Sequence, residues 1–402
     1  DVYKRQERPA ARPLRTPPCY ERLRDRGAVF GQKFGWERAN WFATDGMEQV
    51  DDWSFRRSKW FEGIRKEVAN VTQNVGVLDM TAFAKCQISG PGAEAFLDRF
   101  VANRLPKKVG GIGLCHALNR AGGIHSEFTI RRDAADSFYL VSAGALQRLD
   151  HDYLKKHMPR DGSVQFTQLT GACGVLVVAG PKSRLLLERV SSSDYSNEAF
   201  RWLTAQDVRI GCAPANAMRV NYVGELGWEL HHPLEYQNHI FDALFEAGED
   251  LGIQPFGIRA MDSMRLVKSY RMVGTELSIE YSAYESAMDR FIHPDKGDFL
   301  GREALLAWQE RGASNLLATI EVRDVDDADA LGNNALLHDG DVVGRATGGG
   351  FGFRVNKSLA LGMVPPELAA AGTDLEIDIL GKTYRAQVIP DSPFDPKNER
   401  LR

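Results

Sequence analysis

Apolar positions in this chain change rhythm along its length, and the changes divide it. Between residues 85 and 101 a short apolar run ends at Gly90-Pro91, after which Phe96, Leu97, Phe100 and Val101 follow helical spacing. Residues 173–190 repeat that grammar, with Gly180-Pro181 followed by Leu186, Leu187 and Val190. Strand–turn–helix units about 89 residues apart predict a duplicated α+β architecture. Proline near a helix start is tolerated because its missing N–H is unused there. Both Gly-Pro turns therefore read as structural and not as phosphate loops. Helical spacing also predicts a helix over 236–252, with Ile240, Leu244 and Phe245 inward, and another over 258–270. From about residue 310 the texture turns to short β runs at 316–322, 342–346, 358–364, 374–379 and 383–389. These predict a small C-terminal β-barrel or sandwich. The glycine-rich 347–353 stretch lacks the Gly-x-Gly-x-x-Gly spacing and a following helix, so it reads as a tight turn and no dinucleotide site.

Composition adjusts this picture in a few places. A chain of 402 residues is long for one domain. Fifty Lys and Arg against 54 Asp and Glu give a net charge of −4, which argues against nucleic acid or an anionic membrane as partner. No apolar run approaches the roughly 20 residues that span a bilayer. Five scattered cysteines without a Cys-x-x-Cys pair suggest thiols in a reducing compartment and no zinc. His231 and His232 read as surface residues after a strand. Asp1–Gln6, DVYKRQ, matches the in-frame translation of a transposon mosaic-end adapter, so the natural chain is expected to start further upstream. Residues 7–69, rich in Arg and Pro, read as a linker or arm. Trp36, Trp41, Trp53 and Trp60 predict that it packs on the body. The expected body covers 70–308 and the barrel 309–402.

Candidate chemistry lies in three stretches. In Asn221–Leu230, NYVGELGWEL, residues 221–223 and 228–230 read as strands with 224–227 bending between them. Glu225 then falls in the turn and Glu229 in the returning strand, with Tyr222 across from it. Composition alone favours a surface hairpin with exposed acids. The sharper alternative is a cleft carboxylate accepting parallel N–H bonds from a planar heterocycle. After the Gly122-Gly123 turn, alternation sets Ile124, Ser126 and Phe128 on one face and His125, Glu127 and Thr129 on the other. Arg259 and Asp262, three apart on a helix, read as a surface ion pair.

In order along the chain, Gly76-Val-Leu-Asp-Met80, Ser89-Gly-Pro-Gly92, Asn119 with Gly122-Gly-Ile124, Tyr222-x-Gly-Glu-x-Gly-x-Glu229, Arg259-x-x-Asp-Ser-x-Arg-Leu266 and Phe299-Leu-Gly-Arg302 resemble the folate-binding aminomethyltransferase family of the glycine cleavage T-protein. Residues 28–42 further resemble the join after the flavin half of dimethylglycine and sarcosine dehydrogenases, and 394–402 resemble their C-terminal end. The resemblance implies a tetrahydrofolate-binding body. Glu229 would anchor the pterin and Tyr222 line its pocket, with Glu225 a further candidate. Arg259 would meet the glutamyl tail or a neighbouring acid. Glu127 would stand at the reacting nitrogens as the catalytic carboxylate. It also implies a methylamine-derived iminium or formaldehyde as carbon donor, an FAD domain upstream in the natural chain, no metal, and a cytoplasmic or mitochondrial-matrix location. This chain departs from the family at Leu114-Cys115-His116, where Tyr-Thr-Gln is common, and at Ser126-Glu127, where the T-protein has two acids. Rival readings are a free-standing O- or S-demethylase and a non-catalytic folate binder of the iron–sulfur-maintenance type. The second lacks its Lys-Gly-Cys motif here, where Lys268-Ser-Tyr-Arg271 stands.

Overall fold

The computed structural model describes residues 9–44, 46–52 and 54–402. The adapter-like Asp1–Gln6 and Trp53 lie outside the described residues. Each strand–Gly-Pro–helix unit is present: Ala84–Ser89 leads to the helix Ala93–Phe100, and Cys173–Ala179 leads to Ser183–Val190. Gly90 and Gly180 take φ +110° and +129°, and a Cβ would come within 2.5 Å of the Ser163 and Asn74 carbonyl oxygens respectively. A residue with a side chain would be both strained and obstructed there.

Each unit builds its own sheet. One runs Ile112–Leu118, Ile124–Ala134, Ser137–Ser142, Ala84–Ser89, Gln165–Gln168; the other runs Ala205–Ile210, Ala213–Met218, Gly227–Pro233, Cys173–Ala179, Val75–Asp79, Ile253–Pro255. The duplication is thus explicit, with one exchange. Val75–Asp79 precedes Ala84–Ser89 in the chain but pairs with Cys173–Ala179, whereas Gln165–Gln168 precedes Cys173–Ala179 but pairs with Ala84–Ser89. The chain accordingly forms interleaved compact units. The first holds residues up to Ala84, Leu169–Arg265 and Lys397–Arg402; the second holds Lys85–Gln168 and Leu266–Pro396.

The segment read as an arm is part of the first unit's core. It folds as the helix Tyr20–Asp25, the antiparallel pair Ala28–Lys33 and Trp36–Phe42, and the helix Trp60–Gln73. Cys19, Leu23, Ala28, Ala39 and Phe42 pack in one cluster with Val75, Val178 and Trp228. Helix limits also differ from expectation. The helix expected over 236–252 is Gln237–Ala247, with Phe241 buried beside Ile240 and Leu244, while Phe245 is half-buried and stacks on Phe241 at 4.4 Å. The helix expected over 258–270 stops at Leu266.

In the second unit, Leu316–Val322, Lys357–Val364, Asp341–Gly352, Ala335–His338, Asp374–Ile379 and Lys382–Ile389 close into a barrel in that order. The four-residue strand Ala335–His338 was too short to stand out in sequence. The glycines at 348–350 are strand residues and form no tight turn. They lie in Asp341–Gly352, whose register shifts between Ala346 and Gly348. A Cβ on Gly344 would fall 2.1 Å from the Met363 carbonyl oxygen and one on Gly349 2.7 Å from that of Leu359. Glycine here allows the close, bent strand path that a small barrel needs.

Candidate functional site

The first unit carries Tyr222, Glu225, Glu229 and Arg259, and the second carries Glu127. Residues 221–223 lie in a loop and not in the predicted strand. Asn221 Oδ1 accepts the N–H groups of Val223 and Gly224 at 3.0 and 3.1 Å, and its Nδ2 donates to the Glu225 carbonyl at 2.6 Å. Such local bonding competes with a ladder and fixes a turn. Tyr222 is half-buried in that loop, and the residue across from Glu229 is Met218. Glu225 is not an exposed turn acid, being 1% exposed. Both its oxygens accept from Arg400 Nε at 2.9 Å, and Arg400 also donates to the Thr72 carbonyl. Its carboxylate therefore ties the C-terminus to the first unit.

Glu229 sits inside Gly227–Pro233, a strand buried on both faces. Trp228 and Leu230 enter the core with Tyr195 and Phe200. Glu229 and His231 point to the other face, where the register sets Leu78, Val177 and Met218 alongside the carboxyl. Glu229 is 8% exposed, and desolvation pushes its carboxyl up to about 8. His231 Nε2 lies 3.2 Å from Glu229 Oε2. The histidine pair expected at the surface is thus buried, because this strand has no solvent face.

Glu127 lies on the strand Ile124–Ala134, whose first residues alternate buried and half-buried as the period-two pattern predicts. Its side chain is 20% exposed, and Oε2 is 2.9 Å from Nε2 of the buried His116. His116 stands directly opposite Glu127 on Ile112–Leu118. Sequence reasoning noted His116 only as a departure from the family pattern.

Arg259 does not pair with Asp262, which instead accepts from Arg265 Nε at 2.7 Å. Its guanidinium makes a fork-to-fork pair with Asp51 at 2.7 and 2.8 Å, and Trp41 Nε1 adds a donor to the same carboxylate at 3.0 Å. The neighbouring acid, one of the two partners expected for Arg259, is Asp51.

Glu67 was missed altogether, although it interrupts the apolar stripe Ile64, Val68 and Val71. Its oxygens accept the Phe42 and Gly257 N–H groups at 2.7 Å each, yet burial still raises it to about 8. These carboxyls set a pH dependence of stability. Their folded values exceed the ordinary 4.5, so their contribution is fully present below about pH 4.5 and is lost as pH rises to about 8. The thermal midpoint of the ligand-free protein should fall between pH 5 and 8, and fall less in Glu229→Gln. A midpoint that climbs across that range in scanning calorimetry would contradict the assignment.

Among the described residues no cluster of acids, histidines or cysteines could hold a metal ion, no disulfide forms, and no helix is long and apolar enough to cross a membrane. A duplicated mixed α/β body followed in the chain by a closed six-stranded barrel is the architecture of the aminomethyltransferase class of folds. The chain is a member of the glycine cleavage T-protein family: residues 19–296 match the GCVT N-terminal domain and 316–395 the glycine cleavage T-protein C-terminal barrel domain. It is 34% identical to human mitochondrial dimethylglycine dehydrogenase across 99% of its own length and 46% of that protein. It is 26% identical to an aminomethyltransferase of Desulfitobacterium hafniense, covering 94% of this chain and 97% of that one. The chain thus spans about half the length of its dehydrogenase relatives. In fold it is similar to the glycine cleavage system aminomethyltransferase T of Bartonella henselae, with a TM-score of 0.82, 22% identity and coverage of 95% and 99% of the two chains.

Proposed function

We propose that this chain performs tetrahydrofolate-dependent one-carbon transfer, taking the carbon of an oxidised N-methyl amine to 5,10-methylenetetrahydrofolate. The observation that carries the reading is Glu229. It is a deeply buried carboxyl with His231 as its hydrogen-bonding partner among the described residues. Glu225 and Glu67, by contrast, are committed to Arg400 and to backbone N–H groups. Such a carboxyl is costly to ionise until donors reach it. A pterin presents an amino group and an adjacent ring N–H, two parallel donors that suit a carboxylate. Tetrahydrofolate when bound supplies the nucleophilic nitrogens that take up the carbon. Glu229 anchors and orients it, and Tyr222 lines the same site. Arg259 acts through Asp51, holding the 46–52 segment in place. Glu127, half-buried and hydrogen-bonded on one oxygen, takes the proton that a nitrogen loses on forming its new bond to carbon. The similarity to dimethylglycine dehydrogenase supports an N-methyl amine as carbon source, with its FAD oxidation performed by a domain upstream. A cytoplasmic or mitochondrial-matrix location accords with this chemistry.

Calorimetric titration of tetrahydrofolate into the chain tests the reading. Glu229 is held largely protonated near neutrality, and the ligand's donors favour the carboxylate. Saturable binding should therefore release close to one proton at pH 7, seen as a heat that changes with the buffer's ionisation enthalpy. Absence of saturable binding would overturn the function; binding without proton release would overturn Glu229 as the anchor.

A further inference from the structure

Resting on that reading, we propose that His116 is a positioning residue for the transfer, holding the Glu127 carboxylate through an Nε2–H donor bond. The tautomer follows from Asn103. The amide oxygen of Asn103 accepts the His116 backbone N–H at 2.6 Å. Its Nδ2 therefore occupies the other position and donates to the carbonyls of Leu114, at 2.9 Å, and Phe291. Exchanging oxygen and nitrogen would turn the amide oxygen toward two carbonyls and set an NH₂ against a backbone N–H. That amide nitrogen stands 3.4 Å from His116 Nδ1 and has no lone pair to offer. A proton on Nδ1 would meet a donor, so the ring proton sits on Nε2 and points at Glu127 Oε2, 2.9 Å away.

The imidazole is also fixed as a body. The Ala102 N–H donates to the His116 carbonyl at 2.8 Å, the Phe291 ring meets the imidazole edge-on at 6.0 Å, and the side chain is fully buried. Directly opposite in register, Glu127 is held at Oε2 by a ring that cannot swing, which leaves Oε1 for the reacting nitrogen. A carboxylate held this way pays no orientational entropy when the reacting groups arrive. The ordinary interior role of a histidine explains its burial and the Asn103 contacts. It does not explain why the donor nitrogen faces the candidate catalytic acid.

Histidine-selective ¹⁵N labelling of the wild-type chain reads the tautomer directly, with no variant that has to fold. A protonated Nε2 and a bare Nδ1 at His116 are expected, and the opposite assignment overturns the proposal. Two variants then read the role. His116→Leu should bind tetrahydrofolate within about twofold of wild type while capturing formaldehyde, above the uncatalysed background, some 10- to 100-fold more slowly. His116→Gln, whose amide N–H can reach the same oxygen, should recover most of that rate. Wild-type capture by a folded His116→Leu, or equal losses in both variants, overturns the positioning role alone. A wild-type chain that binds no tetrahydrofolate overturns the functional reading and the proposal with it, whatever the tautomer.

Discussion

Glu127→Gln is expected to bind tetrahydrofolate as the wild type does and to form methylenetetrahydrofolate at least about 100-fold more slowly. The substitution keeps the volume, the strand and a carbonyl oxygen able to accept from His116 Nε2. What it removes is the oxygen that can accept a proton. A nitrogen that bonds to an electrophilic carbon must shed its hydrogen, and an amide at this position cannot take it. The partly exposed setting of Glu127 is what makes the comparison clean. The hydrogen bond to His116 is kept, so folding should be nearly unchanged. Rapid-quench measurement of the methylene product, beside calorimetric binding of tetrahydrofolate, separates the two effects. Equal product yield and rate in the variant would remove Glu127 from the chemistry.

The position of Glu127 was legible because a half-buried antiparallel strand writes its burial as simple alternation. Its partner was not. The hairpin carries a register shift between Ala117 and Leu118, and counting back from the turn without it sets Cys115 opposite Glu127 instead of His116. The duplicated units were legible from their Gly-Pro turns, whereas the exchange of Val75–Asp79 and Gln165–Gln168 was not, since both strands pair with partners remote in sequence. Long-range pairing also hid the ties of Arg259 to Asp51 and of Arg400 to Glu225. Arg, Glu and Asp are common surface residues, and nothing local distinguishes those that meet across 175 or 208 positions. For His231 and His232 the polar pair suggested an exit from the strand. A strand buried on both faces has no alternation to reveal otherwise.

Glu229→Gln should weaken tetrahydrofolate binding by about 100-fold, close to 3 kcal/mol, while leaving the fold intact. A carboxylate can accept both of the pterin's parallel donors. A carboxamide accepts one and turns its NH₂ toward the other, so one charge-assisted bond is lost and one donor is left facing a donor. The folded state should tolerate the change, because Glu229 is held near its neutral form by burial and Gln is neutral with the same shape. The pH profile distinguishes this mechanism from general damage. In the wild type the ligand selects the ionised carboxyl, so affinity should rise with pH toward about 8 and then level off. In Glu229→Gln that rise should vanish together with the proton released on binding. His231, 3.2 Å away, is the titratable neighbour on the same strand, and His231→Gln is the control that assigns any slope remaining. Affinity in Glu229→Gln equal to wild type, or a loss that keeps the wild-type slope, would place the pterin anchor elsewhere.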